Sequence, residues 1–262
     1  MNYRHIYHAG NFADIVKHLV LIAILEQLKN KEKPFAVLDA FAGLGLYNLA
    51  SEAASKTLEY NNGIGKLLQA LDHTPNSLKL FLSVIDSVGQ NFYSGSPFII
   101  NKLLRPQDRL IACELHPADY LDLKKLLPNN TYCIDAYNAI KAFLSFKENR
   151  GIIFLDPPFE VKNEFQKLIT ALKKIKVSAL NNSTLIWYPI KDLLLVSDFY
   201  HNYKTIGFKE TLIIEYELLS SDKNMVKCGL MLINPPNIRQ ELEELTKYLS
   251  YALNLKFTYI DF

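Results

Sequence analysis

The sequence predicts an α/β fold: a mostly parallel sheet with helices on both faces, ending in an antiparallel hairpin, with a small helical insertion at 52–95. Three observations carry this. From residue 109 onward, short apolar runs alternate with helical stretches, the pattern of right-handed βαβ units. Near the C-terminus, TLIIEYELL and VKCGLMLINPP are separated only by polar SSDKNM, too short for a parallel crossover and suited to a hairpin. Between Glu52 and Gly95 the texture shifts to helical pieces without a convincing buried strand.

From Ala13 to about Lys29, residues Ile15, Val16, Leu19, Val20, Ile22, Ala23 and Leu25 recur on a helical period. Asp14 suits the first turn, where the helix dipole favours negative charge. After a charged turn at Lys31–Lys33, FAVLD reads as a compact strand ending in an acid, and AFAGLG as the loop beyond it. Within the insertion, GIGKLLQAL and SLKLFLSVIDSV read as helices. Ser96-Pro97 reads as an N-cap followed by proline at the first helical position. RLIACE, TYCID, GIIFLD and STLIWYP then read as strands. PADYLDLKKLL, YNAIKAFLSF and NEFQKLITALKKIKV are the helices between them, and IRQELEELTKYLSYAL is a last helix after the hairpin.

Composition narrows the class. Hydrophobic residues make up 49% of 262, enough for a sizeable core, and one domain spanning 1–262 is expected. A charge of +2 does not announce nucleic acid by itself, although a local basic face remains compatible with it. Three cysteines, far apart and odd in number, give neither a zinc-finger spacing nor a disulfide framework, so no metal is expected. The N-terminus MNYRHIYHAGN does not read as a signal peptide, and no apolar run approaches the ~18 residues a membrane span needs. A cytoplasmic monomer without a membrane partner is expected.

In a doubly wound sheet, ligands bind beyond the carboxyl ends of the strands. There, Gly43 and Gly45 let a ligand approach the backbone where a Cβ would block it. The pattern is not G-x-G-x-x-G, because Asn48 stands three past Gly45, so a dinucleotide pyrophosphate fits poorly. A nucleoside cofactor without phosphates needs only the close approach. Glu114 ends the next strand of the parallel series, where a carboxylate can accept from both ribose hydroxyls. It stands 69 residues after Gly45; without the 44-residue insertion the separation is 25, near the ~20 seen in nucleotide-binding sheets. Asp135, on the same rim, can accept from an adenine amino group or be a solvated strand-end acid. Lys17 and His18 are polar residues flanked by apolar ones; such a histidine is a ligand or a satisfied core residue.

The sequence LDPPFE, 155–160, closes the strand GIIFL. It has the makings of a turn, but also of a methyl-transfer site acting on an exocyclic amine. The lone pair of such an amine is delocalised into the base ring. Asp156, accepting from N–H, returns electron density to nitrogen. Pro157 and Pro158 stiffen the loop, so that the carboxylate and the Pro157 carbonyl hold their aim. Phe159 can stack on a flipped base, a contact worth roughly 1–3 kcal/mol. INPPN, 233–237, offers an amide and two prolines without the aromatic, and reads as a turn into the last helix.

D-P-P-F matches the [DNS]-P-P-[YFW] signature of amino-group methyltransferases that use S-adenosylmethionine. YRHIYHAGNFADIVKH, LDAFAGLGLY, YSGSP, CELHPADY and LDPPFE occur in that order. Together they closely resemble the bacterial 23S ribosomal RNA adenine-N6 methyltransferase family known as RlmJ, over nearly the whole chain. The resemblance implies a Rossmann-like S-adenosylmethionine-dependent fold with an inserted helical subdomain, and 23S rRNA as partner. Carried over by motif, Lys17, His18, Phe41, Gly43, Ser96, Glu114, Asp135, Ala136 and Asp156 would contact the cofactor. Asp156, Pro157 and Phe159 would form the catalytic site, and Tyr3, Arg4, His5 and Phe159 would meet the RNA. The chain departs from the family's usual residues at Phe159 (tyrosine), Phe41 (histidine) and Ala136 (glycine). Stacking survives the first change; packing or backbone must replace a polar contact at the second; a small side chain is tolerated at the third.

A basic surface for RNA is offered by Arg4, His5 and His8, by Lys102 and Arg105, and by Lys162, Lys167, Lys173, Lys174 and Lys176, although lysine-rich helices are often only solvated faces. Two other functions share these features: a DNA adenine-N6 methyltransferase, and a non-catalytic RNA-binding module on the same fold.

Overall fold

The computed structural model describes residues 5–70, 74–89, 91–219 and 227–262. Tyr3 and Arg4 lie outside these residues, as does the turn SSDKNM. Helix α1 (Phe12–Lys29) leads into strand β1 (Ala36–Asp39). Strands β2 (Leu46–Asn48) and β3 (Phe92–Ser94) pair as a small antiparallel sheet around α2 (Glu52–Thr57), α3 (Ile64–Leu67) and α4 (Asn76–Asp86). Then follow α5 (Ser96–Leu103), β4 (Arg109–Glu114), α6 (Pro117–Leu126), β5 (Thr131–Cys133), α7 (Ala136–Phe143), β6 (Gly151–Leu155), α8 (Glu164–Ser178) and β7 (Ser183–Pro189). The chain ends with α9 (Leu193–Lys204), β8 (Thr211–Leu218), β9 (Lys227–Ile233), α10 (Arg239–Leu253) and β10 (Leu255–Asp261).

The main sheet runs β10-β8-β9-β7-β6-β1-β4-β5. Strands β7, β6, β1, β4 and β5 are parallel; β9, β8 and β10 continue it antiparallel, so the expected hairpin is present. Period-two side-chain alternation builds two cores. Val37, Leu110, Ile152 and Leu185 face the layer of α1, α4, α5 and α10, while Leu38, Ile111, Ile153 and Ile186 face α7, α8 and α9. From β1 the order steps out to β4 and β5 on one side, then returns to β6 and β7 on the other. The loops after β1 and β6 therefore diverge, and the crevice between them is the sheet's switch point. Asp39 ends β1, and Asp156 follows β6 directly.

Four details differ from the sequence reading. The small sheet β2/β3 escapes periodicity because its strands have three residues each. Helix α9 and edge strand β10 were not anticipated. The cap of α5 is Gly95 rather than Ser96; Ser96 is the first helical residue. Its hydroxyl therefore is not capping the helix, and it faces the crevice.

Helix α1 is buried at every position from Phe12 to Leu25, between the sheet and α4, α5 and α10. A helix covered on all sides has no solvated face for polar residues. Asp14, Lys17 and His18 are at most 4% exposed, so each must find its partner inside.

Candidate active site

The diverging loops open into a cavity of about 920 Å3. Twelve sequence-derived site residues line it: His5, Lys17, His18, Phe41, Gly43, Ser96, Glu114, Asp135, Ala136, Asp156, Pro157 and Phe159. Among the described residues, no group of three or more His, Cys, Asp or Glu could hold a metal, and no helix is long and apolar enough to cross a membrane.

The loop after β1 forms one wall. Gly43 adopts φ +63°, and a Cβ there would stand 2.3 Å from the Tyr47 hydroxyl. Its backbone N–H donates to Glu114 Oε2 at 2.9 Å, while the His116 N–H donates to Oε1 at 2.6 Å. Two amides thus aim the Glu114 carboxylate, and each oxygen keeps a second lone pair. Burial raises its pKa, with the His116 and Gly43 amides opposing. Asp135 caps α7 by accepting from the Tyr137 and Asn138 amides at 3.1 and 3.0 Å through Oδ1. The capping role was not foreseen, and it fixes the residue at the cavity edge. Phe41 meets Tyr137 edge-on, with centroids 5.8 Å apart.

Asp39 lies beneath this wall and is fully buried. Neither oxygen has a well-formed hydrogen bond. Burial pushes its pKa up to about 7, partly offset by the nearby Ser96 hydroxyl. A buried acid without a partner is the feature most in need of a cationic or donor group.

The opposite wall is an ionic chain. Lys17 Nζ lies 2.5 Å from Asp156 Oδ2 and 2.6 Å from Asp14 Oδ1. The other Asp14 oxygen bonds His5 Nε2 at 3.0 Å and accepts from the Gly10 amide at 2.8 Å. Burial opposes the Lys17 charge, but Asp14 and Asp156 outweigh it and hold the ammonium protonated. Burial likewise opposes ionisation of Asp14, but His5 and Lys17 keep its pKa well below the usual range. His18 is different. Burial lowers its pKa to about 3, so the ring is neutral; its Nδ1 pairs with the Tyr93 hydroxyl at 2.8 Å.

Above Asp156 the loop turns sharply. Phe159 takes φ +51°, a region that bulky side chains rarely adopt, at a cost of roughly 1–3 kcal/mol. Its ring packs edge-on against Phe165 and Trp187, at centroid distances of 4.9 and 6.2 Å.

Sequence reasoning missed Asp39 as more than a strand end, Asp14 as more than a dipole partner, and Trp187 and Tyr47 altogether as lining residues. A strand-end acid before a glycine loop was the available signal for Asp39. Of the basic residues offered to RNA, Lys167 lines the cavity, but Arg105 is engaged by Asp108 and by the carbonyls of Lys29, Lys31 and Lys33. Lys176 donates to the Gly207 carbonyl. INPPN lies at the far end of the sheet: β9 runs antiparallel to β7, with Ile233 opposite Thr184 near the start of β7.

A family model described as ribosomal RNA large subunit methyltransferase D, RlmJ, matches residues 32–258. Ribosomal RNA large subunit methyltransferase J of Haemophilus influenzae is 34% identical, over 97% of this chain and 94% of its own length. The Escherichia coli K12 protein of the same name is also 34% identical, with the same coverage. The crystal structure of protein LPL1258 from Legionella pneumophila superposes with a TM-score of 0.89 at 32% identity, covering 97% of this chain and 98% of that one. With sequence and fold matched over nearly its full length, the chain belongs to the RlmJ family of large-subunit ribosomal RNA methyltransferases.

Proposed function

We propose that the chain methylates N6 of one adenine in 23S ribosomal RNA, using S-adenosylmethionine and a base extruded into the cavity beside Asp156. The observation that carries this reading is the position of Asp156: an acid anchored at the switch point, on the rim of the cavity that also holds Gly43 and Glu114.

The residues present fit the cofactor. Glu114 is aimed for a ribose diol, and Gly43 lines the same cavity with its backbone N–H on one Glu114 oxygen. The unpartnered Asp39 carboxyl, with Ser96 beside it, suits the α-ammonium of a methionine moiety. Asp135 and Ala136 flank the far end, where an adenine ring would lie against Phe41. When bound, S-adenosylmethionine supplies an electrophilic methyl group on a positively charged sulfur.

The chain's own residues then act on the target. Lys17 holds Asp156 through Oδ2, leaving Oδ1 to accept from the amine N–H. That hydrogen bond localises the nitrogen lone pair, and the same carboxylate is the nearest base for the proton the amine gives up. Phe159 stacks on the base, offsetting the few kcal/mol that unstacking costs. His5 lines the cavity, and the RNA contacts expected of Tyr3, Arg4 and His5 belong to this reading.

Isotopic methyl transfer to protein-free 23S rRNA and to duplex DNA tests the proposal. Incorporation into rRNA as N6-methyladenosine is expected. Label in duplex DNA alone would make the protein a DNA methyltransferase. Cofactor binding with no turnover on either would leave a binding module.

A further inference from the structure

Trp187 is the single tryptophan of the chain and has no part in the cofactor wall. It stands on β7, next to β6, the strand whose C-terminal loop carries Asp156 and Phe159. Its strand neighbours Ile186 and Tyr188 are fully buried, whereas Trp187 is half-buried and lines the cavity. Its polar edge already has a partner, because the indole N–H donates to the Tyr216 hydroxyl at 3.1 Å. That bond fixes the ring plane. The Lys17 ammonium, which holds Asp156, lies 5.6 Å from the ring centroid.

An indole with its donor engaged and an apolar surface left in a cavity is a wall for another planar group. The geometry with Phe159 says which arrangement is possible. The two rings are 81° apart, with centroids 6.2 Å from each other. A base sandwiched between parallel rings needs roughly 7 Å, twice the ~3.4 Å stacking rise, and parallel planes. Phe159 and Trp187 offer neither. They form a right-angled corner, with the Lys17–Asp156 pair beside it.

We propose that Trp187 is a specificity-determining contact for the target base, completing that corner: a base lying flat on one ring meets the other with its edge. The inference rests on the function proposed above. The acceptor at Asp156 bonds an exocyclic amine and by itself does not tell adenine N6 from cytosine N4. A two-ring purine lying on one wall extends far enough to press its edge on the second. A pyrimidine held with its amine at Asp156 is shorter and loses that contact.

Because the chain has one tryptophan, its emission reports this contact without mutation. Titrating the full-length protein with a 23S rRNA transcript should quench the emission and protect it from acrylamide, while a 16S transcript should not. In Trp187→Leu, kcat/KM for 23S rRNA should fall about 5- to 150-fold, the range of a base–aromatic stack. The loss should lie in the RNA parameters, with the S-adenosylmethionine dissociation constant unchanged. Wild-type protein that methylates rRNA with no emission change at saturation would overturn the inference while leaving the proposed function intact. So would a folded Trp187→Leu protein with wild-type kcat/KM. If Trp187→Leu does not fold, the emission titration alone decides. Wild-type protein that does not methylate rRNA would overturn the functional reading instead.

Discussion

The Lys17 ammonium bridges two carboxylates that are far apart in sequence, 2.5 Å from Asp156 and 2.6 Å from Asp14, within a helix buried on every side. This single cation ties the N-terminal segment, reached through His5, to the loop that carries the reacting group. Lys17→Met would strip Asp156 of its cation and leave Asp14 with His5 and the Gly10 amide. Breaking one side of a buried ion pair costs about 3–5 kcal/mol, so the denaturant midpoint should drop sharply. Adding Asp14→Asn should recover part of the loss, because one buried negative charge is removed. A Lys17→Met protein with an unchanged midpoint would show that the bridge contributes nothing.

Glu114 is aimed by the Gly43 and His116 amides. Hydrogen bonds to a charged group contribute about 1.5–3 kcal/mol, so Glu114→Ala should weaken S-adenosylmethionine binding by roughly 10- to 150-fold. Calorimetry measures this directly; an unaltered dissociation constant would reject the ribose contact.

Gly43 faces two separate obstacles to a side chain. Its φ of +63° costs an alanine about 1–2 kcal/mol, and the new Cβ would meet the Tyr47 hydroxyl at 2.3 Å. Gly43→Ala should therefore lose stability and cofactor affinity together. Adding Tyr47→Phe relieves the second obstacle and leaves the first, so the double variant should recover stability only partly. Full recovery in thermal melts would mean that the backbone conformation carries no strain.

His18 and Asp39 tilt the pH dependence of stability in opposite directions. The folded His18 pKa is about 3 against 6.5 unfolded, so its contribution is complete above pH 6.5 and is lost as pH falls towards 3. Asp39 is raised from 3.8 to about 7, so the folded state holds a proton the unfolded chain has released, and its contribution grows as pH falls across that window. The two slopes oppose each other. Relative to wild type, His18→Gln should gain about 2 kcal/mol between pH 7 and pH 5, because the histidine penalty disappears. Parallel urea curves at the two pH values for both proteins would contradict a buried neutral imidazole.

The parallel half of the sheet was legible because β1, β4, β6 and β7 end at or directly before an acid or proline (Asp39, Glu114, Asp156 and Pro189), and the helices between them carry a helical period. Helix α9 carries a start signal at Asp192, which caps it by accepting from the Leu194 and Leu195 amides. Strand β10, LKFTYID, alternates covered and exposed positions over 255–259, but it follows α10 with no glycine or proline to mark the break. Asn254 at φ +56° makes that turn. At the site, Glu114 and Asp156 were legible because acids at the ends of parallel strands converge on one rim. The partnership of Lys17 with Asp156 spans 139 residues, and no local pattern encodes it. The loneliness of Asp39 likewise exists only once the loop has folded over it.

The central claim is that Asp156 accepts from the amine of the target adenine. Single-turnover methyl transfer to 23S rRNA by wild type and Asp156→Ala, with cofactor binding measured alongside, tests it most directly. The predicted result is a chemical step slowed by about 10²–10⁴-fold or more, in a folded protein that still binds S-adenosylmethionine and RNA. An Asp156→Ala protein transferring methyl groups at the wild-type rate would contradict it.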